Sequence, residues 1–140
     1  MAVIRDTGAV YALYDADDRH HDACKGFVER EPGPLYLPVV LLAEIDYLLT
    51  ARLGAKASTD FLESVEAGAF TLVPLLVEDV SRCRELTAKY HDLPLGLADA
   101  TVVVTAERLQ LRRIFTVDQR HFRAVQSPEL GPFIILPADE

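Results

Sequence analysis

The 140-residue chain has no tryptophan, one methionine and only two cysteines. Cys24 and Cys83 cannot build the disulfide framework of a small secreted scaffold, so two free thiols in a reducing, cytoplasmic compartment are expected. No apolar run approaches the ~18 residues of a membrane-spanning helix, and the opening MAVIRD lacks a signal peptide's long apolar region. No membrane partner is expected. Basic residues are also scarce: 14 Lys and Arg stand against 22 Asp and Glu, giving a net charge of -8. That balance argues against nucleic acid held by a basic surface alone. It leaves open nucleic acid held across bound cations, which invert the local sign.

The positive charge present is uneven. Between Glu107 and Arg123 lie Arg108, Arg112, Arg113, Arg120 and Arg123, with His121 beside them and two acids among them. These arginines are candidates for gripping phosphates, and an ordinary solvated helix end and loop explains them equally well. Half of the residues are hydrophobic and 26% are charged, an ordinary globular composition. A chain of this length fits one domain, residues 1–140, able to bury roughly 70% of its unfolded surface. No repeat, linker or low-complexity segment interrupts it.

Short apolar runs at residues 2–4, 35–37, 69–73, 114–117 and 132–136 read as strands. Between them, helices are expected from Asp6 or Thr7 onward and over residues 20–31, 38–54, 55–66, 77–90 and 97–109. Pro38 suits a first helical turn and Gly54 a stop. Arg82, Arg84, Glu85 and Lys89 read as a solvated face. Apolar strands alternating with helices predict an α/β domain, a parallel sheet of about five short strands covered on both faces.

Certain acids stand at telling places. Asp6 follows the first strand, where it can cap a helix, bind a cation, or do both. Asp99 falls in a first helical turn, and Asp118 lies directly beyond a strand. Glu44 and Asp46 sit inside a helix apolar enough to be buried on most faces, so at least one should enter a polar site. Helical spacing does not choose between them. In parallel α/β sheets, groups beyond the strands' carboxyl ends share one edge. Two bare carboxylates ~4 Å apart repel by roughly 4 kcal/mol at an effective dielectric near 20, so such a cluster shares protons or binds cations. Oxygen-only ligands select Mg²⁺ or Mn²⁺, which activate water against phosphodiesters. A zinc site from His20, His21 and Cys24 would lack a second ligand cluster at any usual spacing.

Four stretches in order, VIRDTGAVYALYDADDRHH, LPVVLLAEIDYLL, LPLGLADATVVVTAERL and IFTVDQRHF, make the chain resemble the PIN-domain ribonucleases. Within them it is most similar to the VapC-type toxins of toxin–antitoxin pairs. The resemblance runs from Ala2 to about Leu136. It implies a Rossmann-like PIN fold, Mg²⁺- or Mn²⁺-dependent endoribonuclease activity yielding 5′ phosphates, and a homodimer. It also implies a cognate VapB-like antitoxin whose C-terminal segment occupies the active-site groove. Position by position, Asp6, Asp99 and Asp118 match the family's metal-binding aspartates, and Glu44, rather than Asp46, matches its acidic helix residue. Asp92 is set aside in favour of Asp99, which precedes Ala100. Gly8 departs from the serine frequent in these toxins, a change expected to weaken a supporting hydrogen bond. Thr7 and Thr116 are candidate supporting hydroxyls, with capping and strand propensity as equally good explanations.

Other readings compete. An aspartyl-phosphate phosphatase or receiver domain needs a second acid close to the first or a late lysine, and no lysine follows Lys89. A PIN fold that only binds RNA or protein would be favoured by loss of an acid. A PIN nuclease outside any toxin pair would lack a neighbouring antitoxin gene.

Overall fold

Five three- or four-residue strands lie side by side: β1 (Val3–Arg5), β2 (Leu35–Pro38), β3 (Thr71–Val73), β4 (Arg113–Phe115) and β5 (Ile134–Leu136). The computed structural model describes residues 2–140. Seven helices join and flank the strands: α1 (Thr7–Tyr14), α2 (His21–Arg30), α3 (Leu41–Leu53), α4 (Ala55–Glu66), α5 (Val77–Lys89), α6 (Leu97–Leu109) and α7 (Gln119–Ala124). The strand order is β3-β2-β1-β4-β5, and every pairing is parallel.

Period-two alternation sorts the strand residues between two apolar layers. Val3, Phe115 and Leu136 face a layer holding Ala9, Ala12, Cys24 and Phe27. Ile4, Ile114 and Ile135 face the larger layer, which includes Leu41, Ile45, Leu86 and Val103. The sheet is thus covered on both faces, as the near-continuous apolar strands predict. From central β1 the chain steps outward to β2 and β3, then returns to β4 on the other side. This reversal opens a crevice beyond the carboxyl ends of β1 and β4, the general place for a site in such sheets.

Several expectations change in detail. Pro38 ends β2 rather than opening a helix, because Val39 N–H carries the ladder on to Val73 O at 2.8 Å. The third strand starts at Thr71, since residues before it close α4 through Gly68 N–H to Val65 O and Ala69 N–H to Ser64 O. β4 stops at Phe115 because Asp118 N–H turns back to Thr116 Oγ1 at 2.9 Å instead of meeting a neighbouring strand. The short helix α7 was not expected at all.

Arg82 is not merely solvated: it forks onto buried Glu107 at 2.9 and 3.0 Å, and Ser127 Oγ donates to the same carboxylate at 2.8 Å. Apolar composition also overstated the burial of α3. Only the stripe of Leu41, Ile45 and Leu49 is buried, while Tyr47 is 70% exposed. Glu44 consequently lies in the open, and half-buried Asp46 accepts a hydrogen bond from Ser58 Oγ of α4.

Candidate active site

Asp6 leaves β1 at its carboxyl end, held to β4 by its N–H donating to Phe115 O at 3.0 Å. It stands at the cap position of α1, yet its side chain makes no capping bond to that helix. The carboxylate instead accepts from Thr116 Oγ1 at 2.8 Å. Capping alone therefore does not account for this acid. At 6% exposure, burial pushes its carboxyl up to about 6. The Thr116 bond offsets part of that rise, and the charges of Asp99 and Asp118 add to it.

Asp99 is the third residue of α6, where a side chain folds back over the helix start, and the Gly96 N–H helps to hold it. Burial is the first cause of its raised carboxyl, with His121 pulling the other way. Asp118 follows β4 and caps α7, accepting from His121 N–H at a long 3.4 Å. His121 Nδ1 lies 3.0 Å from Asp99 Oδ2 and 3.0 Å from Asp118 Oδ2. Two small groups thus stitch three acids together: the Thr116 hydroxyl joins Asp6 to Asp118, and the His121 ring joins Asp118 to Asp99. Among the described residues no lysine or arginine bonds any of the three aspartates. Three acids near enough for the charges of two to raise the third, met by the His121 ring and by no lysine or arginine among the described residues, suit a divalent cation.

Residues 3–127 match the family model described as the PIN domain. The chain belongs to the PIN-domain family. It is 33% identical over 135 residues to Ribonuclease VapC26 of Mycobacterium tuberculosis, an alignment covering 96% of this chain and all of that one. Among solved structures it resembles M. tuberculosis VapC20, described as a sarcin–ricin loop cleaving toxin, at TM-score 0.75 and 18% identity. That likeness covers 83% of this chain and 91% of the other. A toxin–antitoxin complex from Klebsiella pneumoniae follows at TM-score 0.69 and 17% identity, covering 88% and 92%. VapBC2 from Rickettsia felis, bound to a DNA fragment from its promoter, gives 0.68 and 12%, covering 96% and 98%. At these identities the structural likenesses speak for the fold.

The remaining candidates of this PIN domain fall on different ground. Glu44, in the first turn of α3, stands on the same sheet edge, because α3 follows the carboxyl end of β2. It is exposed, and no hydrogen bond ties it to the aspartates. Asp92 is an exposed partner of His91. The zinc reading fails: His21 Nδ1 bonds Ala12 O at 2.7 Å, His20 Nε2 accepts from Arg19, and burial pushes the Cys24 thiol up to about 11. Thr7 is buried with its hydroxyl unpartnered, whereas Thr116 carries the supporting role.

Four of the five clustered arginines have structural work. Arg108 pairs with Asp79, Arg113 with Glu31 and Arg123 with Asp139, and Arg112 bonds Pro132 O. Arg120 alone among them is exposed with no bond among the described residues. Gly8 also has a reason of its own, since a Cβ there would meet Val117 Cγ2 at 2.8 Å. Close packing behind the site therefore favours glycine at this position. His121, which in the sequence stands only beside the arginines, joins the acids in the fold. Its signal was the spacing: an acid at a strand end caps the next helix, and the residue three places on lies beside it.

Proposed function

We propose that this PIN domain is a Mg²⁺- or Mn²⁺-dependent endoribonuclease, the toxic member of a toxin–antitoxin pair. The observation that carries the reading is the convergence of Asp6, Asp99 and Asp118 at the β1/β4 crevice with no lysine or arginine among the described residues to neutralise them. Asp6, Asp99 and Asp118 would hold a divalent ion, which would supply polarisation of the phosphodiester and a lowered pKa for the attacking water.

The chain's own residues divide the remaining tasks by exposure. Asp6, the deepest, and Asp99, with a side chain 19% exposed, hold the charge in place. Asp118, with 40% of its side chain exposed, and open Glu44 face incoming solvent, where they help bind a second ion or orient the water. Water oxygen bonds to phosphorus in line with the leaving 3′ oxygen, the P–O3′ bond breaks, the water's proton passes to a carboxylate, and the departing 3′ oxygen takes up a proton from solvent. The products carry a 5′ phosphate and a 3′ hydroxyl. Arg120 is free to grip a neighbouring phosphate of the RNA.

A VapB-like antitoxin and a homodimeric assembly complete the reading. The antitoxin is supported by the structural neighbour described as a toxin–antitoxin complex, and a protein interface by exposed apolar residues such as Tyr47, Leu62 and Val77. A cytoplasmic setting fits two free cysteines and the absence, among the described residues, of a helix long and apolar enough to cross a membrane.

The test is cleavage of total cellular RNA by the purified chain with Mg²⁺ or Mn²⁺, beside an EDTA control and Asp99→Asn. Discrete fragments bearing 5′ phosphates, absent from both controls, are expected. Identical behaviour of wild type and variant under every metal condition would reject the reading.

A further inference from the structure

We propose that His121 is itself a cation ligand of this site, through Nδ1 alongside Asp99 and Asp118, and that its imidazole shifts preference from Mg²⁺ toward Mn²⁺. The inference rests on the metal-site reading above and deepens it, because four acids alone would give an all-oxygen site with no such preference.

Geometry is the first argument. Nδ1 stands 3.0 Å from one oxygen of each aspartate, and the three donor atoms lie within 4.8 Å of one another. Neighbouring ligands of an octahedral ion bound at about 2.1 Å are separated by √2 times that length, about 3.0 Å. The nitrogen is therefore already at the spacing of an adjacent ligand to both carboxylates.

Placement is the second. The ring is not a loose surface group: 17% of the side chain is exposed, and its backbone N–H is tied to the Asp118 carboxylate that caps α7. Phe122, the next residue, is wholly buried and anchors the same helix in the core. Nδ1 is thus the atom presented to the acids, and the neutral ring that ligates from there carries its proton on Nε2.

Chemistry supplies the consequence. Mg²⁺ demands oxygen ligands and dehydrates reluctantly, whereas imidazole suits transition metals. One nitrogen among carboxylate oxygens favours Mn²⁺ without excluding Mg²⁺.

The experiment titrates Mn²⁺ into the purified full-length chain and reads the bound ion by electron spin-echo envelope modulation, which detects a directly coordinated ¹⁴N. Wild type is expected to show imidazole coupling. His121→Gln should lose it and bind Mn²⁺ about tenfold more weakly or worse, at least the cost of losing an outer-shell partner. His121→Asp replaces nitrogen by oxygen, so it should keep an ion, lose the coupling and lower the Mn²⁺-to-Mg²⁺ affinity ratio. Its retained binding also shows that α7 still folds. Mn²⁺ bound to wild type without nitrogen coupling overturns the inference and leaves the metal-site reading standing. If wild type takes up no more Mn²⁺ than Asp99→Asn does, both fall.

Discussion

Thr116 and Asp6 are 110 residues apart in the chain and 2.8 Å apart at the site, the hydroxyl of one donating to the carboxylate of the other. The same hydroxyl accepts the N–H of Asp118, so one oxygen fixes two of the three aspartates. β4 lies directly beside β1, and this pairing is what brings the strand ends together.

Replacing Thr116 by valine keeps the shape and removes both bonds. Leaving Asp118 N–H without a partner should cost about 1–3 kcal/mol of stability. Loss of a group that orients a ligand should weaken Mn²⁺ binding about 10–100-fold. Thr116→Ser keeps the hydroxyl and should recover most of both. Denaturant titration and calorimetric metal binding check this, and a valine variant with wild-type affinity would count against a positioning role.

Asp6 carries a pH signature in the metal-free chain. Its carboxyl is raised from 3.8 to about 6 in the fold, so the unfolded chain ionises first as the pH rises. Stability from this group is full below about pH 4, is lost through pH 6 and stays lost above, by up to about 3 kcal/mol. Asp99 is raised in the same direction. Asp6→Asn should therefore stabilise the chain in EDTA at pH 7.5 and make little difference at pH 4. Urea midpoints at the two pH values measure it; equal effects at both would contradict the burial argument.

Gly8 is required by contact with Val117. Gly8→Ser puts a Cβ 2.8 Å from Val117 Cγ2 and should cost about 1–3 kcal/mol. Adding Val117→Ala should return most of that loss. Thermal unfolding of the single and double variants decides the matter, and additive losses would show that the two side chains do not collide.

Arg5 is buried without a carboxylate partner, its guanidinium lying over the rings of Phe70 and Phe115 at 4.6 and 5.4 Å. Two of its nitrogens have no hydrogen-bond partner, and burial lowers its pKa to about 10, so it stays protonated at neutral pH. A buried charge this poorly compensated is often better replaced by an apolar side chain. Arg5→Met should raise stability by about 1–4 kcal/mol. Destabilisation in chemical denaturation would mean that the ring contacts outweigh desolvation.

The acids, the helices and the parallel sheet could be read from the residues because each leaves a local trace. Helices Ala55–Glu66 and Leu97–Leu109 end where their glycine and polar punctuation ends. Period-two alternation in Val3, Ile4 and Ile114, Phe115 marks strands with two covered faces. Asp6, Asp99 and Asp118 are conspicuous because they sit at strand ends and in a first helical turn.

Pairings across the chain leave no such trace, and they decided the rest. Whether Arg82 is solvent-facing or an anchor for Glu107 depends on α5 lying against α6. The openness of Glu44 depends on which stripe of α3 meets the core, which the helix's own apolar excess conceals. Thr116 and His121 became part of the site only through the β1/β4 pairing and the turn into α7. Sequence thus determined the inventory of charged groups and the periodicity that folds them, because both are properties of neighbouring residues. Tertiary structure alone determined which groups share a few ångströms, because burial and hydrogen bonding are set by partners far along the chain.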